Sequence, residues 1–188
     1  MTRIGSLQVR TLFLISAGLI VASLFFPWWN LELIAPQYRE GLNITVYPSK
    51  LAGQIDIINI LNHYIGMADI REDSFTELKY IPYILGFIAI LLVINAILLS
   101  KFLTKSIVVI STLAGATGLY DMYRWLHVFG TNLSPQAPIK VPPFVPPMLG
   151  SNQLANFQTY SSFCIGFYFV IFAILIVYVA AWLICKRS

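Results

Sequence analysis

Hydrophobic positions run through this chain in four long blocks, and polar positions gather between them in two uneven stretches. Thr11–Trp28 reads TLFLISAGLIVASLFFPW and carries no charge. Ile81–Ser100, IPYILGFIAILLVINAILLS, carries none either, and Phe163–Cys185 is the longest such run. The remaining block, Ile107–Trp125, is lightened by Ala114, Gly115, Ala116 and Gly118 and ends on Asp121 and Arg124. A helix rising 1.5 Å per residue crosses the roughly 30 Å hydrocarbon core in about 20 residues. The pattern therefore predicts four transmembrane helices, over about 11–28, 81–100, 107–125 and 163–185, in one membrane domain covering 1–188.

Between the blocks the period changes. Asn30–Ile34 and Leu42–Tyr47 alternate apolar and polar positions around a turn-like Ala35–Gly41, which predicts a β-hairpin ended by Pro48. Ile55–Ile65 repeats apolar residues at helical spacing and stops at Gly66, which predicts a short amphipathic helix. Arg71–Lys79 is polar and leads into the second span. In Leu126–Ser162 proline takes over: six of the ten prolines fall between Pro135 and Pro147. Such a run cannot be helix or central strand and is expected to extend as polyproline II. It is also apolar, with Ile139, Val141, Phe144 and Val145. It reads either as a strap packed on the hairpin and helix, or as a docking edge made by Pro142, Pro143, Phe144, Pro146 and Pro147. Stretches 30–79 and 126–162 are too long for plain helix connections, which run about 2–8 residues. Together they predict a small extracytoplasmic α+β cap on a mainly α, four-helix membrane bundle. No internal repeat is visible.

Composition closes the alternatives. The chain has 188 residues, 58% hydrophobic and 11% charged, with mean hydropathy +0.77. Soluble globular domains carry about 25% charged residues, and disordered chains are polar and poor in aromatics. Two cysteines exclude a disulfide-stapled scaffold. The charges are also sorted. Arg3, Arg10, Lys101, Lys105, Lys186 and Arg187 fall on one side of the predicted spans with no acid among them; the other side holds the remaining charges. The positive-inside rule then places both termini in the cytoplasm. The net charge of +4 is a topology signal and does not argue for nucleic acid. The first block could be a signal peptide, but it runs into Phe25-Phe26-Pro27-Trp28-Trp29 with no small-residue cleavage site. A retained anchor with an outer aromatic belt is expected.

Most catalytic signatures are missing: there is no phosphate loop, no CxxC and no His-Glu metalloprotease motif. No acid–base or nucleophile pair stands out, so an enzyme is not expected. The spans are too apolar for a water-filled pore. Cys164 and Cys185 sit 21 residues apart, about 31 Å along a helix, far beyond the roughly 7 Å a disulfide allows. The best constellation is His63 and Met67, with Asn59 and Asn62 beside them. Four apart, His63 and Met67 share a helix face if the helix runs that far, and imidazole with thioether suits copper, especially Cu(I). His127, Met122 and Met148 could complete such a site. The plainer reading is a hydrogen-bonded His63 in a packed cap, with Met67 filling a gap beside Gly66. Asp121 and Arg124 predict a local ion pair at the helix end. Asn43-Ile-Thr45 fits a glycosylation sequon, relevant only in a secretory lumen. Gly115 and Gly118, with Ala114, allow close helix approach within the bundle or against another subunit.

Two stretches carry a resemblance. One is Leu33-Ile-Ala-Pro-Gln-Tyr-Arg-Glu-Gly-Leu42 with Asp56-Ile-Ile-Asn-Ile-Leu-Asn-His-Tyr-Ile-Gly-Met67. The other is Ala137-Pro-Ile-Lys-Val-Pro-Pro-Phe144 with Pro146-Pro-Met-Leu-Gly150 and Leu154-Ala-Asn-Phe157. The chain resembles a family of small four-span bacterial membrane proteins encoded beside nitrous oxide reductase and its copper-assembly genes. It departs from the pattern after Phe157, where QTYSSFCIG stands in place of a Gly-rich turn. The resemblance implies the bacterial inner membrane, a periplasmic cap and a copper-enzyme setting. It also implies that His63 and Met67 touch copper or a partner. The expectation is a noncatalytic accessory protein that supplies or retains copper or tethers a copper enzyme. The alternative is a structural subunit of a larger assembly, such as a membrane-bound copper monooxygenase or a respiratory complex. Expected partners are lipid and other membrane or periplasmic subunits.

Overall fold

The computed structural model describes residues 3–154 and 157–186. Arg187 and the Ala155–Asn156 pair named above lie outside them, as does the side chain of Arg3. In chain order the elements are α1 (Arg3–Ser23), β1 (Trp29–Ala35), β2 (Tyr38–Val46), β3 (Leu51–Gly53), α2 (Ile55–Ile65), α3 (Glu77–Leu98), α4 (Lys101–Thr131), β4 (Gly150–Leu154), β5 (Phe157–Phe163) and α5 (Ile165–Lys186). Four helices, α1, α3, α4 and α5, are long and apolar enough to cross a membrane.

α3 and α5 pack against α1, and α4 packs on α5 and α3. Val9, Phe13, Ala17 and Ile20 form one stripe of α1 at helical spacing, fully or almost fully buried. They belong to one core with Leu85, Ile88, Ala89, Leu92 and Ala96 of α3 and Ala173, Val177, Ala180 and Ile184 of α5. The two alanines of α3 and two of α5 let those helices approach α1 closely, since little side chain stands between the backbones. α4 joins the core chiefly through Ile107 and lies at its margin.

The helix bounds differ from the apolar blocks. α1 begins at Arg3 and stops at Ser23, so Phe25–Trp28 is not helical. α3 covers 77–98, α5 covers 165–186, and α4 runs from 101 to 131, well past both ends of its block. Backbone hydrogen bonding does not follow hydrophobicity, so a charge-free run marks a helix without fixing its ends. Lys101 and Lys105 accordingly lie on α4, not in a connection. Only Leu99 and Ser100 separate α3 from α4. Leu99 takes the left-handed conformation at φ 51°, and Ser100 caps α4 by accepting from Leu103 N. Buried Asn95 ties the corner: its Nδ2 donates to Thr104 Oγ1 at 2.8 Å, and its Oδ1 accepts from Ser100 N at 3.0 Å.

At the opposite end of the bundle sits one antiparallel sheet of order β3-β2-β1-β5-β4. The predicted hairpin is present as β1–β2, in register from Trp29↔Val46 to Leu33↔Leu42. The second hairpin, β4–β5, was not expected from the sequence, and it takes Phe163 out of the last helix. β5 pairs with β1 throughout, from Trp29↔Phe163 to Ile34↔Gln158, so the two polar stretches share one sheet. α2 spans the predicted residues and covers one face, where Leu42, Ile44 and Ile58 are buried with Leu31, Leu33, Ile57 and Leu61 around them. The sheet is joined to the helices at their exits. Trp28 N donates to Val46 O at 2.8 Å, Cys164 N to Trp28 O at 2.9 Å, and Gly166 N to Pro27 O at 2.9 Å. A Cβ on Gly166 would stand 2.6 Å from Trp28 Cδ1 and 2.7 Å from Phe26 O, so only glycine admits this crossing.

Candidate functional site

α2 ends where Gly66 turns left-handed at φ 80°. Its N–H reaches His63 O, and Met67 N–H reaches Asn62 O at 2.9 Å. This is the hydrogen-bond pattern of a Schellman C-cap. It leaves His63 exposed on the last turn of α2 and places Met67, half-buried, beyond the cap. The shared helix face expected for His63 and Met67 therefore does not form, because the left-handed residue between them ends the helical spacing. Gly66 has a second task. A Cβ there would lie 2.8 Å from Ala137 Cβ and 2.9 Å from Ser134 O, and Gly66 O accepts from Ser134 N at 2.8 Å. The Asn-His-Tyr-Ile-Gly-Met run is thus, physically, a helix stop that seats the start of the proline-rich segment.

That segment has no regular secondary structure from 139 to 148 and behaves as the strap. Ile139 N donates to Tyr64 O at 2.9 Å, and Phe144 N to Gly130 O at 3.0 Å. The Nε1 of buried Trp29 donates to Met148 O at 2.8 Å. The strap bonds successively to α2, to the end of α4 and to the sheet. Pro146 is buried, Phe144 and Pro147 are half-buried, and Pro142 and Pro143 are exposed. Most of the expected docking edge is therefore partly used inside the protein.

His127 lies on the penultimate turn of α4 rather than in a loop, exposed, with its ring 6.1 Å from that of Tyr123 and its Nδ1 3.4 Å from Thr131 Oγ1. Tyr120, Tyr123, Arg124, His127 and Val128 line a shallow hollow of about 220 Å³ on this helix. Met148 is half-buried at the strap's end, and Met122 is half-buried on α4. Among the described residues no three of His, Cys, Asp and Glu converge in a way that could hold a metal ion.

The predicted Asp121–Arg124 ion pair is present, but sequence reasoning missed the larger polar centre it belongs to. Arg124 pairs with Asp121 at 2.7 Å and stacks on Trp125 at 4.7 Å. The indole N–H of Trp125 donates to Glu77, at the start of α3, whose carboxyl lies beside that of Asp121. Phe75 packs at a tilt against Trp125 and stacks on Phe129. Two carboxyls, one guanidinium and three rings thus pin α3 to α4 at the cap end. Glu77 and Trp125 are 48 positions apart, so no local spacing could have shown it.

The small residues of α4 divide. Gly115 faces α5, with Ile174 Cδ1 3.6 Å from where its Cβ would be, whereas Gly118 meets nothing within 4 Å. The sequon residue Asn43 is held within β2, its Oδ1 accepting from Asn30 Nδ2. Cys164 and Cys185 are both free, at opposite ends of α5. Comparison of the sequence with family models and with curated proteins finds no match.

Proposed function

We propose that this chain is a bacterial inner-membrane protein, both termini cytoplasmic and the sheet cap periplasmic, that serves a copper-dependent enzyme as a noncatalytic accessory. It supplies or retains copper, or tethers the enzyme, through His63, Met67, His127 and Met148. The resemblance of both cap stretches to proteins encoded beside nitrous oxide reductase supports the copper setting. The observation that carries the reading is the strap. It binds Gly66 and Tyr64, next to His63 and Met67, then Gly130, three residues from His127, and finally offers Met148 O to Trp29. All four candidate ligands lie on segments that one strap joins, and the two histidines are exposed. The cap's bonds to both helix exits hold that surface at a fixed height above the bilayer.

Deleting the gene in its host tests this. The extracytoplasmic copper enzyme should lose copper content or membrane association. Full copper occupancy and unchanged membrane association would sink the proposal.

A second reading, a structural subunit of a larger membrane assembly, draws on α4. At 31 residues it is about 46 Å long, longer than the hydrocarbon core. Only 17% of its most apolar stretch is buried, against 22% for α5 and 33% for α1 and α3. Gly118 lies on an open surface of it. Gentle native purification separates the readings: a co-purifying subunit lost on Gly118→Leu supports the assembly, and a monodisperse monomer opposes it.

A further inference from the structure

At the end of the bundle remote from the sheet, three helices present basic side chains to the surroundings. Arg10 on α1, Lys101 and Lys105 on α4, and Lys186 on α5 are all exposed. The chain's eight acids all lie between Glu32 and Asp121, on or next to the cap end, so none offsets these charges. Aromatic rings mark the same level. Phe102, between the two lysines, is 82% exposed, and Lys186 Nζ lies 4.7 Å over the ring of exposed Trp182. Amphipathic rings and long basic side chains sort to the depth where acyl chains meet headgroups. Lys101 and Lys105 are one turn apart at the start of α4. Arg10 lies two turns inside α1, from where its long side chain can reach the headgroup layer while its stem stays in apolar surroundings.

We propose that this end is a binding surface for anionic phospholipid headgroups, with Arg10, Lys101, Lys105 and Lys186 contacting phosphate and Phe102 and Trp182 contacting the upper acyl chains. The surface rests on the membrane placement proposed above and is independent of copper. Charge complementarity selects the ligand: a cluster of basic groups with no acid among them attracts anionic over zwitterionic lipid, with each residue contributing about fivefold in affinity.

The test is native mass spectrometry of the full chain titrated, in detergent, with equal phosphatidylglycerol and phosphatidylcholine. The wild type should retain phosphatidylglycerol preferentially, and the preference should fall with salt. Lys101→Gln/Lys105→Gln/Lys186→Gln should remove most of that preference. A cap variant, Arg39→Gln/Lys50→Gln, should keep it. Equal retention of the two lipids by the wild type, full preference in the triple variant, or loss of preference in the cap variant would each overturn the assignment. Retention of neither lipid would overturn the assignment as well, leaving the membrane placement to be judged separately.

Discussion

Replacing Gly130 by alanine should detach the strap from α4. The new Cβ would stand 1.9 Å from the carbonyl oxygen of Phe144 and 3.1 Å from Cδ of Pro146. The first is a backbone atom in a run stiffened by Pro142, Pro143 and Pro146, so it cannot step aside alone. Overpacking of this kind costs about 1–3 kcal/mol, and moving the strap breaks the Phe144–Gly130 hydrogen bond, worth about 1 kcal/mol net. Alanine offsets part of this, since it favours a helix over glycine by about 1 kcal/mol. The balance is a loss of about 1–3 kcal/mol. Gly118 on the same helix is the control, because nothing lies within 4 Å of its Cβ position. Gly118→Ala should be neutral or stabilise by up to about 1 kcal/mol. Both variants can be unfolded reversibly in mixed micelles of mild detergent and dodecyl sulfate, followed by near-ultraviolet circular dichroism. Equal midpoints for Gly130→Ala and Gly118→Ala would refute the strap contact and the reading built on it.

Asn95→Ala should destabilise the α3–α4 corner by about 1–3 kcal/mol, because a residue with no exposed surface loses bonds to Thr104 and Ser100; an unchanged unfolding midpoint would rule the network out as a stabiliser. Asp73, hydrogen-bonded to Arg71 and close to its charge, sits below the usual carboxylate range. Its nuclear magnetic resonance titration should show this and return to the ordinary range in Arg71→Ala. What the pair adds to stability is present above the ordinary carboxylate range and lost as pH falls through the depressed value. Both groups are exposed, so high salt should erase most of it.

How far the sequence could be read depended on whether a signal was local. The β1–β2 hairpin and α2 were legible because alternation and helical spacing are properties of consecutive residues, and Gly66 marks the helix stop. The same glycine should have withdrawn Met67 from His63's face, since a left-handed cap ends the helical register. Strands β4 and β5 were hidden by weak side chains: Gly-Ser-Asn-Gln-Leu and Phe-Gln-Thr-Tyr-Ser-Ser-Phe bring little apolar contrast, and their pairing with β1 supplies the order. His127 fell outside the predicted helix because the apolar block was ended at Trp125, just past Asp121 and Arg124. In the fold, the helix runs through Gly130, and the strap occupies the space a side chain there would fill. The Glu77–Asp121–Arg124–Trp125 centre forms only when α3 and α4 meet, and no motif announces it.

Copper handling at the cap is tested most directly by titrating purified protein with Cu(I) against a competing chelator. Wild type should withdraw one Cu(I) from the chelator, about tenfold or more tightly than a His63→Ala/Met67→Ala/His127→Ala/Met148→Ala variant, since each tenfold is about 1.4 kcal/mol of lost ligation. Identical competition curves for the two proteins, with the variant shown to be folded, would contradict it.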